Sequence, residues 1–95
     1  MVADWGLAFA LEACACVATG RGLMEISALL WGAAEKLREV IGAPLLDAYR
    51  DVYANFKALT SEGLGDLLFR TVWQKGRTLP KSESYERAFA LTGTA

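Results

Sequence analysis

The apolar positions of this chain recur with the three-to-four-residue period of helices. The pattern is clearest between residues 23 and 41, where the apolar residues line one side and most charged residues fall elsewhere. No segment alternates apolar and polar residues as a half-buried strand does. The sequence therefore predicts an all-α fold in one domain, residues 1–95, with five helices over about 5–19, 23–41, 45–63, 67–75 and 82–91.

Glycine, proline and aspartate mark the predicted helix ends. Asp4 and Asp66 precede apolar runs and are predicted N-caps of the first and fourth helices. Pro44 cannot continue the second helix but can open the third, near Leu45. Glycine readily adopts the left-handed conformation that closes a helix, and four glycines are predicted to do so: Gly20, Gly42, Gly65 and Gly76.

The short connections predict that helices adjacent in sequence pack antiparallel, as helical hairpins in a tetratricopeptide-like stack. The first two helices with their turn have about the length of one such repeat, and small residues on both permit close packing. The tetratricopeptide Trp, Tyr and Pro signature is missing, and the two halves of the chain show no self-similarity. The third helix is expected to bury one apolar line: Leu45, Tyr49, Val52, Tyr53, Phe56 and Leu59.

The first helix is apolar around nearly its whole circumference. Glu12 is its only charge between Asp4 and Arg21, which is typical of a helix buried on more than one side. In an isolated domain, the second apolar side is expected to be exposed and to drive homodimer formation or domain exchange. Trp5, Phe9 and Trp31 are the candidate residues of this partner or self-association surface.

Composition argues against catalysis and against metal or cofactor binding. The 95 residues include no histidine, which removes the commonest general base and metal ligand. No catalytic residue, cofactor-binding residue or metal ligand is predicted, so the chain is not expected to be an enzyme. Cys14 and Cys16 are too close on one helix to pair, and they are expected to be buried, reduced thiols.

Membrane insertion and export are not expected. The amino terminus lacks a positively charged region, and the apolar stretch from Trp5 to Ala18 contains Glu12 and is shorter than the ~20 residues that span a bilayer. Together with the unpaired cysteines, this predicts a cytoplasmic location.

A small basic group offers an alternative function. Lys75, Arg77 and Lys81 lie near Trp73, which resembles a nucleic-acid patch of cations and a stacking aromatic. Trp73 is in phase with Phe69 and is expected to pack inward, and the formal net charge of the chain is −1. Direct nucleic-acid binding is therefore the less favoured reading.

The centre of the chain resembles a recurrent sequence in a family of large regulators. The run from Leu30 to Leu45 reads LWGAAEKLREVIGAPL, and it is similar to the LLGAAExLRxxxGAPL pattern in the carboxy-terminal helical-repeat region of ATP-binding LuxR-type and antibiotic-regulatory-protein-type transcriptional regulators. Trp31 replaces the usual aliphatic residue. Weaker similarity continues through Tyr53, residues 64–79 and the last predicted helix.

The resemblance implies a helical sensor or scaffold module rather than the ATPase or the DNA-reading domain of such regulators. Its implied partners are another protein, a second copy of itself or a small inducer, and it carries over no catalytic residue. Packing also accounts for the matching residues. Gly32, Ala33 and Ala34 are expected to let helices approach, while Glu35 and Arg38 are expected mostly at the surface.

Overall fold

The computed structural model describes the backbone of residues 2–93 and the side chains of residues 5–91. The predicted all-α class is confirmed, and the described residues contain no strand. The five helices are α1 (Val2–Gly20), α2 (Met24–Ile41), α3 (Asp47–Leu64), α4 (Asp66–Arg77) and α5 (Lys81–Gly93).

Two of the four predicted glycine stops are confirmed. Gly42 has φ +68° and its N–H points to the carbonyls of Arg38 and Glu39, and Gly65 has φ +87° between α3 and α4. Gly20 instead belongs to α1, and Gly22 with φ +78° makes the turn into α2. Gly76 also lies inside a helix, because α4 continues to Arg77.

The predicted helix starts were less accurate. α1 begins at Val2, so Asp4 lies within the helix and is not its N-cap. Asp66 is the first residue of α4, after Gly65 in the cap position, and its carboxylate accepts a hydrogen bond from Ser61 Oγ at 3.0 Å. α3 begins at Asp47, not near Leu45, because Leu46 is extended with ψ 141°.

α2 is the central helix of the bundle. It packs most extensively on α1 and α4 and also contacts α3 and α5. Every residue from Ser27 to Ala34 is buried, so the middle of α2 is enclosed on all sides. The predicted antiparallel pair of α1 and α2 is present, whereas α4 packs more extensively on α2 than on its sequence neighbour α3.

Two glycines allow the backbones of α2 and α4 to touch. A Cβ atom on Gly32 would lie 2.0 Å from the carbonyl oxygen of Trp73, and one on Gly76 would lie 2.0 Å from that of Leu29. The prediction that Gly32 permits close helix packing is thus confirmed. Gly76 has the reciprocal role on α4, which explains a glycine inside that helix.

Three buried hydroxyl groups join α1, α2 and α3. Thr19 Oγ1 lies 2.6 Å from Ser27 Oγ and 2.9 Å from Thr60 Oγ1, and the latter two atoms are 3.1 Å apart. Thr19 also donates to the carbonyl of Ala15, and Thr60 to that of Phe56. The cluster satisfies these polar groups where water is excluded.

Candidate self-association surface and a cavity beside Trp31

One face of α1 is exposed and wholly uncharged. It consists of residues separated by four, three, four and three positions, which places them on one side of the helix. We call this face the α1 stripe: Gly6, Ala10, Ala13, Val17 and Gly20. At 1.5 Å per residue it is roughly 21 Å long. The side chains exposed on this face are small apart from Val17, which is 42% exposed.

Two of the three predicted surface residues border the α1 stripe on the side facing α3. Trp5 is 41% exposed, and Phe9 is half-buried and packs edge-on against Tyr49 with ring centroids 5.5 Å apart. Tyr49, Val52 and Leu59 were expected in the core line of α3 but are exposed. Because residues three apart share a helix face, Tyr49 and Val52 extend this apolar border onto α3.

Trp31, the third predicted surface residue, lies in the core. Its side chain is 2% exposed and packs against Tyr53 with ring centroids 5.4 Å apart. The prediction was wrong because α2 is enclosed by the other helices, so a residue off its main apolar line also meets a neighbour.

A cavity of about 270 Å³ lies beside Trp31. Residues from α1, α2 and α3 and from the connector before α3 line it, and most carry polar or charged groups. We call it the Trp31 cavity, and its lining is Glu12, Trp31, Glu35, Arg38, Glu39, Leu45, Tyr53 and Lys57.

A buried ion pair forms one wall of the Trp31 cavity. Arg38 donates from Nε and Nη2 to the two carboxylate oxygens of Glu12, the latter at 2.8 Å, and from Nη1 to the carbonyl of Ala43. The hydrogen bond to Glu12 raises the pKa of Arg38 above its usual value, so the guanidinium stays charged despite burial. The expectation that Arg38 lies at the surface was wrong, because it is 8% exposed.

Glu35 and Lys57 form the outer wall of the cavity. Glu35 is half-buried rather than mostly exposed, and its Oε2 accepts hydrogen bonds from Trp73 Nε1 and Lys57 Nζ, both at 2.9 Å. These contacts join α2 to α4 and α3. Within the described residues, the buried Nε1 of Trp31 has no hydrogen-bond acceptor, which is costly for an indole N–H.

The basic group does not form an open cationic patch. Arg77 donates two hydrogen bonds to the carboxylate of Glu39, at 2.9 and 2.7 Å, and its guanidinium lies 5.0 Å from the ring centroid of Trp73. Trp73 packs against the core, as expected from its phase with Phe69. Lys75 and Lys81 are exposed on α4 and α5. Arg77 and Trp73 are therefore already engaged in contacts within the fold.

The two cysteines are free and half-buried. Burial raises the pKa of both thiols, and the charge of Glu12 raises that of Cys16 further. Within the described residues, no three acidic, cysteine or histidine side chains are grouped to hold a metal ion. No helix in the described part of the chain has both the length and the apolarity to cross a bilayer.

Comparison with protein-family models, curated proteins and solved structures finds no match for this chain.

Proposed function

We propose that this protein is a non-enzymatic helical scaffold module that acts through protein contacts, and that the α1 stripe binds the same stripe of a second copy. The observation that carries the proposal is the absence of charge from the exposed face of α1 over residues 5–20. A solvated helix face normally bears polar or charged residues. In the described part of α1 the one charged side chain, Glu12, is buried instead.

The chemistry of the α1 stripe favours an identical partner. A two-fold interface places a surface against itself, so any charge on the surface faces a like charge near the axis. The α1 stripe has none. Its glycines and alanines allow a second helix to approach closely, and Trp5 and Phe9 at its border supply the aromatic groups that contribute most to interface affinity.

We further propose that the module belongs to a transcriptional regulator and works in the cytoplasm. The regulator setting rests on the resemblance of residues 30–45 to the helical-repeat region of LuxR-type regulators. The free, half-buried cysteines support the cytoplasm, because such thiols persist in a reducing compartment.

Sedimentation equilibrium over a wide concentration range tests the self-association. We expect a concentration-dependent dimer for the unaltered chain and a monomer for Ala13→Glu, which places like charges at the centre of the interface. Ala58→Glu is the matched control, because Ala58 is an exposed alanine on α3 away from the α1 stripe. A chain that stays monomeric at every concentration, or equal dimerisation of both variants, contradicts the proposal.

The Trp31 cavity supports inducer binding as a second candidate function. A small ligand bearing a carbonyl acceptor would satisfy the buried indole N–H of Trp31 once neighbouring side chains move aside to admit it. A thermal-shift screen of such compounds should find ligands whose stabilisation is lost in Trp31→Phe, which keeps an aromatic ring but removes the donor. Stabilisation that persists in Trp31→Phe contradicts this role for the indole.

A further inference from the structure

A second, larger concavity lies between the beginning of α2 and one face of α4. Its volume is about 890 Å³, and it lies apart from the α1 stripe and the Trp31 cavity. Its apolar walls include Leu23, Ile26 and Leu29 from the α2 side and Leu64, Leu68 and Val72 from the end of α3 and from α4. We call it the α2–α4 groove.

Leucine side chains remain exposed in the α2–α4 groove. Leu68 is 46% exposed and Leu23 is 39% exposed. Leu68 and Val72 are four residues apart and therefore lie on one face of α4, with Lys75 one turn further along. From Leu68 to Lys75 this face is roughly 10 Å long, or about two helical turns.

The charge in the groove is asymmetric. Lys75 of α4 and Arg87 of α5 line it, and their side chains have no hydrogen-bond or ion-pair partner among the described residues. Glu25 is the one acidic residue in the lining. The groove thus combines apolar walls with a net positive charge, although the whole chain carries a formal charge of −1. An occupant with apolar and acidic groups is complementary to both features.

We propose that the α2–α4 groove binds an acidic amphipathic helix of a partner protein. Leucine side chains of the partner would pack against the apolar residues of the groove, and its carboxylates would pair with Lys75 and Arg87. A helix fits better than an extended peptide because the walls are helices, which offer no strand edge to a peptide backbone. A helix satisfies its own backbone hydrogen bonds while it covers an apolar surface.

The probe is a fluorescein-labelled helical peptide of about four turns, with leucines at i, i+3, i+4 and i+7 and glutamates at most other positions. Fluorescence anisotropy with the full chain should show saturable binding of this peptide. A peptide with lysines in place of the glutamates should bind at least about tenfold more weakly. Absence of binding, or equal affinity for the two peptides, overturns the proposal.

Matched variants on α4 localise the binding. Leu68→Asp should weaken binding at least about tenfold, whereas Leu67→Asp should not, because Leu67 is 81% exposed and does not line the groove. Lys75→Glu and Arg87→Glu should each weaken it about fivefold or more, and Arg70→Glu, an exposed change outside the groove, should have little effect. Equal effects at Leu67 and Leu68 overturn the proposal.

Two further measurements distinguish helix binding in the groove from self-association through the α1 stripe and from fatty-carboxylate binding. Ala13→Glu should bind the peptide with unchanged affinity, so peptide binding and self-association succeed or fail independently. Dodecanoate, a carboxylate with a single apolar chain, should not displace the peptide. Displacement at concentrations below micelle formation assigns the groove to a fatty carboxylate and overturns the choice of a helical partner.

Discussion

Arg38 of α2 makes two hydrogen bonds to the carboxylate of Glu12 of α1, and both side chains are more than nine-tenths buried. Glu12 is the one charged residue among the described side chains of α1, and it meets the one arginine of α2. The remaining guanidinium nitrogen of Arg38, Nη1, donates to the carbonyl of Ala43 just beyond α2. The pair therefore fixes α1, α2 and the connector to α3 in one arrangement.

Removal of one partner of this ion pair should destabilise the fold strongly. Glu12→Gln leaves the Arg38 charge buried without its counter-ion, and the expected loss is about 3–5 kcal/mol of unfolding free energy. Glu12→Leu combined with Arg38→Met removes both charges and should recover most of that loss. Urea denaturation followed by circular dichroism measures both changes.

The control for this prediction is the exposed ion pair between Arg50 and Asp47, with N and O atoms 3.0 Å apart. Arg50→Met should change stability by no more than about 0.5 kcal/mol, because solvent screens surface pairs. If Glu12→Gln costs as little as Arg50→Met, the buried pair does not hold the helices as described.

The contact of α2 with α4 should not tolerate a side chain at either glycine. Gly32→Ala or Gly76→Ala puts a methyl group against a backbone carbonyl, so the helices must separate. Either change should cost about 3 kcal/mol or more, as severe overpacking does. Thermal denaturation at low protein concentration measures the loss.

Gly6→Ala provides the matched control for the glycine variants. Gly6 lies inside α1, and a Cβ atom there would meet nothing within 4 Å. The alanine should therefore raise stability, by up to about 1 kcal/mol, through its higher helix propensity. Equal destabilisation at Gly6 and Gly32 would contradict close backbone packing as the cause.

The buried hydroxyl cluster should contribute measurably to stability. Thr60→Val preserves shape but removes a group in hydrogen-bond contact with Thr19 and Ser27, and the expected cost is about 1–3 kcal/mol. Thr71 is the control, because its hydroxyl donates to the carbonyl of Leu67 at an exposed site. Chemical denaturation should show Thr71→Val within about 0.5 kcal/mol of the unaltered chain; similar losses for both variants would rule out a special role for the cluster.

The thiols should be slow to react. Burial raises the pKa of Cys14 and Cys16, so at a given pH a smaller fraction of each is the nucleophilic thiolate. Iodoacetamide alkylation followed by mass spectrometry should give a rate-versus-pH midpoint above that of the same chain unfolded in urea. A folded-state midpoint at or below the unfolded one would contradict the buried placement.

The periodic pattern predicted the helices well, because helix identity depends on the spacing of apolar residues along the chain. The roles of individual glycines were harder to predict. Gly42 and Gly65 end helices as expected, whereas Gly76 serves a contact with Leu29, which is 47 positions earlier by residue number and unrelated in local sequence. The neighbouring sequence looks the same for a glycine that adopts a positive φ and for a glycine that makes room for the backbone of another helix. The sequence alone therefore does not distinguish the two roles.

The exposed face of α1 was predictable, and its surroundings were not. The near-absence of charge in α1 is a property of the sequence, and it predicted a surplus apolar side that includes Trp5 and Phe9. The exposure of Tyr49 was missed, because the apolar line of α3 is wider than the face that α1 and α2 cover. Trp31 was predicted at the surface but is buried, because the four other helices enclose the middle of α2.

The sequence by itself determined the all-α class, the five helices and the uncharged face of α1, because local spacing and composition specify these properties. Only the tertiary structure decided that Arg38 is buried opposite Glu12, that Arg77 pairs with Glu39, and that Lys75 and Arg87 share a groove with exposed leucines. Each of these relationships joins residues on different helices. The physical reason is that burial and charge pairing depend on which helices pack together, and side chains far apart in the chain determine that packing.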